Sequence, residues 1–173
     1  MQFKIVDDAF SGFDAVAYKA PENVTVLRNF GSVQFESEDK DAIIALTQGL
    51  VPQDKELLFE RQEIAGGKKA KYLSYVVNAA TEISGEDIVD SGITTDSGSF
   101  DPKPVVTLKF TGPGGKRFAD VTGANVNKRM AIVLDNEVVS APEIQQQITG
   151  GSAIIRLGQG SYNEIYEEVT ELS

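Results

Sequence analysis

Four pieces of sequence decide the fold: PVVTLKF (residues 104–110), TGPGGKRF (111–118), MAIVLDNEVVSAPEI (130–144) and ITGGSAII (148–155). The first alternates like a strand, Val105 to Phe110. The second is a glycine-rich turn opening a helix over Gly114 to Ala124, with Phe118 and Val121 on its inward face. In the third, Met130 to Leu134 and Glu137 to Ser140 face each other across Asp135-Asn136. Both turn residues tolerate positive φ, so the spacing predicts a tight hairpin. In the fourth, Gly150-Gly151 turns the chain into a strand from Ala153 to Leu157. Strand, helix, hairpin and strand within 54 residues predict an α+β fold: a mixed or antiparallel sheet with helices packed on one side.

Upstream, Gln2 to Val6 reads as a strand with Phe3 and Ile5 on one face. Asp7 to Pro21 fits a short helix or an ordered loop. Val24 to Leu27 and Ser32 to Phe35 read as strands about an Asn29-Phe30-Gly31 turn. Ser37 is the expected N-cap of a helix running to about Gln48, whose acidic first turn suits the helix dipole. Leu57 to Ile64 and Lys71 to Val77 form a hairpin around residues 65–69. Ile83 to Val89 contains Ser84 to Asp87, which reads as a turn into one short helical turn, and Thr94 to Lys103 reads as an exposed loop. At the far end, Ser161 and Glu164 make a capping box, and Tyr162, Ile165, Tyr166, Val169 and Leu172 recur at helical spacing. That helix is short enough to require docking on the sheet.

Composition sets the limits. The 173 residues hold 41% hydrophobic and 24% charged side chains, a globular balance with a net charge of -10. An acidic surface argues against nucleic acid as a partner, because phosphate neutralisation needs clustered Lys and Arg. The chain has no cysteine and no histidine. That removes disulfides, thiolate nucleophiles, Cys/His metal sites and histidine-based triads. No apolar run reaches the roughly 20 residues that span a bilayer.

The motifs are weak as chemistry. Thr111 to Lys116 sits where a phosphate cradle would, but Phe110 and Arg117 occupy positions where a P-loop needs Gly and Ser/Thr. A carboxylate pair acting as a hydrolase dyad is an alternative, although Glu164, Glu167, Glu168 and Glu171 read as the solvated face of one helix. We expect no catalytic, metal or cofactor site. The segment from Val138 to Ile148 draws more interest. Val139, Ile144 and Ile148 flank Pro142, which cannot donate to a ladder and so marks a strand end or edge. These four residues are the candidate polypeptide-contact site, with strand addition as the mode. Packing against the core or a neighbouring segment is the competing explanation.

Three blocks resemble SecD and the fused SecDF, accessory subunits of the bacterial Sec translocon. They are QFKIVD (residues 2–7); LLF (57–59) through Tyr72-Leu73 with ISGEDI (83–88); and Pro104 to Ile155. The last includes GKRF (115–118), AIVLD (131–135), VSAP (139–142) and ITGG (148–151). Asn127 stands where the family usually has glycine, and Arg156-Leu157 where it tends to have Thr-Gly or Ser-Gly.

The resemblance implies a domain on the periplasmic, extracytoplasmic side of the bacterial inner membrane, flanked by membrane helices. It implies a head subdomain plus part of a ferredoxin-like base: residues 1–8 and 153–173 base-like, 9–152 insertion and head, with the head core at about 57–152. The implied partners are unfolded preprotein in transit and, through the intact protein, SecF and the SecYEG channel. The implied work is non-enzymatic handling of an emerging chain during proton-gradient-assisted secretion. A ligand-free docking module is the remaining alternative.

Overall fold

In the computed structural model, residues 1–64, 69–95 and 104–156 are described. Phe3 and Ile5 on alternate positions build strand β1 (Gln2–Ile5). A short helix α1 (Asp14–Ala17) follows. The strands β2 (Thr25–Asn29) and β3 (Ser32–Ser37) then close on a two-residue turn, Phe30-Gly31, with φ of 52° and 92°. Helix α2 (Lys40–Thr47) is capped by Asp39, whose carboxylate accepts the Asp41 and Ala42 amides. The sequence pointed to Ser37 as that cap. Ser37 is instead the last residue of β3, in register with Tyr72, and its hydroxyl donates to the Asn23 carbonyl and accepts the Asp39 amide.

Strands β4 (Lys55–Glu63) and β5 (Ala70–Asn78) form the long expected hairpin. The two-residue β6 (Ile83–Ser84) runs into a single 3₁₀ turn, Gly85–Asp87. Strand β7 (Ile88–Thr95) comes next. The sequence pattern does not reveal this strand, because Asp90, Ser91 and Gly92 interrupt the apolar alternation and a bulge between Ile88 and Asp90 leaves Val89 exposed; Thr94 and Thr95, expected as loop, are its last residues. The remainder of the proposed 94–103 loop, and the helix expected from Ser161, lie outside the described residues.

The decisive C-terminal elements match their reading: β8 (Pro104–Phe110), α3 (Gly112–Ala124), β9 (Met130–Leu134), β10 (Glu137–Ser140) and β11 (Ser152–Arg156). Thr111 caps α3 by accepting the Gly114 amide at 2.9 Å. Asp135 and Asn136 hold φ of 43° and 65°, the mirror-image turn that hairpin twist prefers.

The fold is α+β with a mixed, mostly antiparallel sheet. Eight strands run in the order β2-β3-β5-β4-β10-β9-β1-β6, and β10 pairs parallel to β4 but antiparallel to β9. A second sheet, β11-β8-β7, packs its Val106, Leu108, Ala153 and Ile155 against Phe118 of α3 and the Phe3 and Ile132 face of the large sheet. Phe13, Phe35 and Ile43 centre another core beneath α1 and α2. A third, with Tyr75, Val77 and Val133, lies on the opposite face of the central strands. Strand β9 sends Met130, Ile132 and Leu134 to the first core and Ala131 and Val133 to the third, so it is buried on both sides.

Candidate functional site

The segment from Ala141 to Gly151 leaves the sheet without regular structure, yet it is anchored at each end. The Met130 amide donates to the Pro142 carbonyl at 2.9 Å. The Ile144 amide donates to the Lys128 carbonyl, and its own carbonyl accepts the Asn127 amide. Further on, the Ile148 amide donates to Thr122 Oγ1 on α3 at 3.0 Å, and Gln147 Nε2 donates to the Ala119 carbonyl at 3.1 Å. Gly150 and Gly151 then turn at φ of 98° and 73°, and the Gly151 carbonyl accepts the Phe110 amide. Those positive φ values are what favour glycine in the turn, and helix α3 approaches it closely enough that a Cβ on Gly115 would stand only 2.9 Å from the Gly151 Cα.

Between this segment, β9 and β11 lies a groove of about 710 Å³. Phe3, Phe118, Met130 and Ile132 make its floor. Pro142, Ile144 and Ile148 form one wall, and β11 forms the other with Ala153, Ile154 and Ile155. Ile154 is 63% exposed at the rim. Gln145 and Gln146 are exposed polar lining residues, and Glu143 is the single carboxylate among the described lining residues. The surface is therefore apolar at depth and uncharged over most of its mouth. Such a lining suits neutral or apolar side chains, and its described residues offer no pair of carboxylates for acid–base chemistry.

Three of the four residues singled out from sequence thus border one cavity. Pro142 is exposed, Ile148 half-buried and Ile144 buried. Val139 is placed differently: it is buried in the first core. Its strand β10 has β4 on one side and β9 on the other, so it presents no edge. The open edge near Pro142 belongs to β11, which among the described residues has β8 as its one neighbour. Sequence reasoning missed Phe3, Phe118, Met130 and Ile155 as lining residues. Each read as ordinary core of its own element, and only the packing of the two sheets brings them to one surface.

A charged cluster centres on the Arg129 side chain, which does not itself line the groove. Arg129, buried, donates to both carboxylate oxygens of Asp8. The Phe30 and Tyr75 rings lie over its guanidinium at 4.3 and 5.3 Å. Tyr75 donates to Glu60 at 2.8 Å. Burial, reinforced by the nearby Glu60 carboxylate, pushes the Tyr75 hydroxyl well above its ordinary pKa. Among the described residues, no group of three or more Asp or Glu is arranged to hold a metal ion, and no helix is long and apolar enough to cross a membrane.

The family model of the SecDF P1 head subdomain matches residues 55–166. Among curated relatives, the protein translocase subunit SecD of Magnetococcus marinus is 37% identical over 126 residues, covering 73% of this chain and 22% of that protein. SecD of Acidaminococcus fermentans is 37% identical over 121 residues, 69% of this chain and 27% of that protein. SecDF of Thermus thermophilus reaches 44% identity over 85 residues, 49% of this chain and 11% of its own length. The chain therefore spans about a quarter or less of these relatives. A solved structure of SecDF, described as a membrane component that enhances protein export, aligns over 99% of this chain and 90% of its own, with a TM-score of 0.44 and 20% identity.

Proposed function

The chain belongs to the SecD/SecDF family through its P1 head subdomain, and from that premise we propose that it engages emerging preprotein as a non-catalytic extracytoplasmic domain of a Sec translocon subunit. The groove is the observation that carries this reading. It is partly open and apolar at its floor, and one wall is a segment pinned at Pro142, Ile144 and Ile148. A surface of that kind takes many sequences weakly, which is what a chain in transit requires. An extended segment would lay alternate side chains onto Phe3, Met130 and Ile132. Its backbone would face the outer edge of β11, as in strand addition.

In this proposal the proton gradient acts on membrane-embedded parts of the intact protein, and the domain contributes only binding and movement. The division into base-like ends (1–8 and 153–173) and an inserted head belongs to the same proposal, as do SecF and the SecYEG channel as partners and the periplasmic side of the inner membrane as its place.

The test uses the intact membrane protein with a photoreactive residue at Gln146, which is exposed at the groove mouth. During export of a stalled preprotein, adducts to that preprotein support the reading. Adducts exclusively to other translocon subunits would replace it with the docking-module alternative.

A further inference from the structure

Phe30 sits at the first position of the β2–β3 turn with φ of 52°, a left-handed conformation where Asn or Gly is the ordinary choice. A bulky aromatic there is strained. Burial does not compensate, since Phe30 is 62% exposed. What the ring does contact is Arg129, with the guanidinium carbon 4.3 Å from its centroid. Arg129 is 6% exposed, is held by Asp8 from the loop after β1, and is also covered by Tyr75 of β5.

The backbone around Arg129 is equally committed. Its carbonyl accepts the Val6 amide, and its neighbours Lys128 and Met130 make the hydrogen bonds to Ile144 and Pro142 that fix the groove wall. Those two bonds make Arg129 and Glu143 an isolated antiparallel backbone pair. The Arg129 side chain therefore reaches the tip of the β2–β3 hairpin while the backbone on either side of the same residue holds residues 142–144.

We propose that Phe30 and Arg129 form a latch coupling the β2–β3 hairpin to the groove wall at Pro142 and Ile144. The left-handed backbone disfavours a bulky residue at Phe30, and the cation–π contact offsets part of that cost, so losing the contact favours a change of the turn itself. Displacement of the 142–144 wall shifts Arg129 and frees the hairpin tip, and movement of the hairpin loosens the wall in return. This goes beyond the groove's ligand and holds whatever the groove binds.

Amide hydrogen exchange followed by NMR tests it on the chain as it stands. Phe30→Asn keeps a residue that tolerates the left-handed turn but removes the ring. The Met130 and Ile144 amides, distant in sequence, should then exchange about fivefold faster. Phe30→Tyr restores the ring and should restore the native rates, and Arg129→Lys should mimic Phe30→Asn. The Leu108 amide in β8 is the internal control and should keep its rate. Changes confined to residues 29–32, or a uniform rise that includes Leu108, would overturn the coupling.

Discussion

Thr122 Oγ1 accepts the Ile148 amide at 3.0 Å while donating to the Phe118 carbonyl at 2.8 Å, so one fully buried hydroxyl ties the groove wall to the helix behind it. Thr122→Val preserves the shape and removes both bonds, leaving the Ile148 N–H without its partner. The expected loss is about 1–3 kcal/mol in chemical denaturation. Faster exchange of the Ile148 amide should accompany it. An unchanged midpoint and an unchanged Ile148 amide would mean the wall is held by other contacts.

The glycines of the 112–115 run are not equivalent. A Cβ on Gly115 would meet the Gly151 backbone at 2.9 Å, whereas one on Gly112 meets nothing within 4 Å. Gly115→Ala should therefore destabilise by about 1–3 kcal/mol through overpacking. Gly112→Ala should be neutral or stabilising by up to about 1 kcal/mol. Thermal melts of the two variants read the difference directly, and equal melting temperatures would refute the close approach of α3 to the Gly150-Gly151 turn.

Asn127 sits in a left-handed backbone conformation between helix α3 and strand β9. Its φ is 65°, which asparagine tolerates. Asn127→Gly should stay within about 0.5 kcal/mol of the parent. Asn127→Val, β-branched in a left-handed position, should cost about 1–3 kcal/mol. Urea titration decides; a harmless valine would contradict the assigned backbone conformation.

Tyr75 gives the protein an alkaline limb. Burial and then the Glu60 carboxylate raise its folded-state pKa above that of the unfolded chain, so the folded state holds its proton more tightly. That stabilisation is complete below the unfolded value of about 10 and is lost progressively as pH climbs above it. Stability measured from pH 8 to 11 should fall for the parent and fall less steeply for Tyr75→Phe. Parallel curves would remove Tyr75 as the source.

Local chemistry made much of this fold legible. Asp135-Asn136 announced the β9–β10 hairpin, and the glycine run after Phe110 announced α3. Pairing between distant strands was not legible, because nothing within 137–140 marks β10 for parallel contact with Phe59 of β4. Lys4 shows the same limit. It reads as the polar face of β1, yet it is 4% exposed, with its ammonium on Glu56 at 2.8 Å and the Ala79 carbonyl at 2.7 Å. Strand β7 escaped because its apolar pattern is broken by Asp90, Ser91 and Gly92. As for the groove, an apolar-polar mixture around a proline pointed to one wall. The floor comes from three elements, β1, α3 and β9, whose side chains, taken singly, are indistinguishable from core.

The most direct measurement is an NMR titration of this chain with an unfolded, uncharged apolar segment of a secreted polypeptide. The account predicts weak, saturable shifts at Ile144, Ile148 and Ile154, abolished by Ile148→Asp and accompanied by protection of the β11 amides. Absence of any shift at millimolar peptide, or shifts that ignore the Ile148→Asp change, would contradict it.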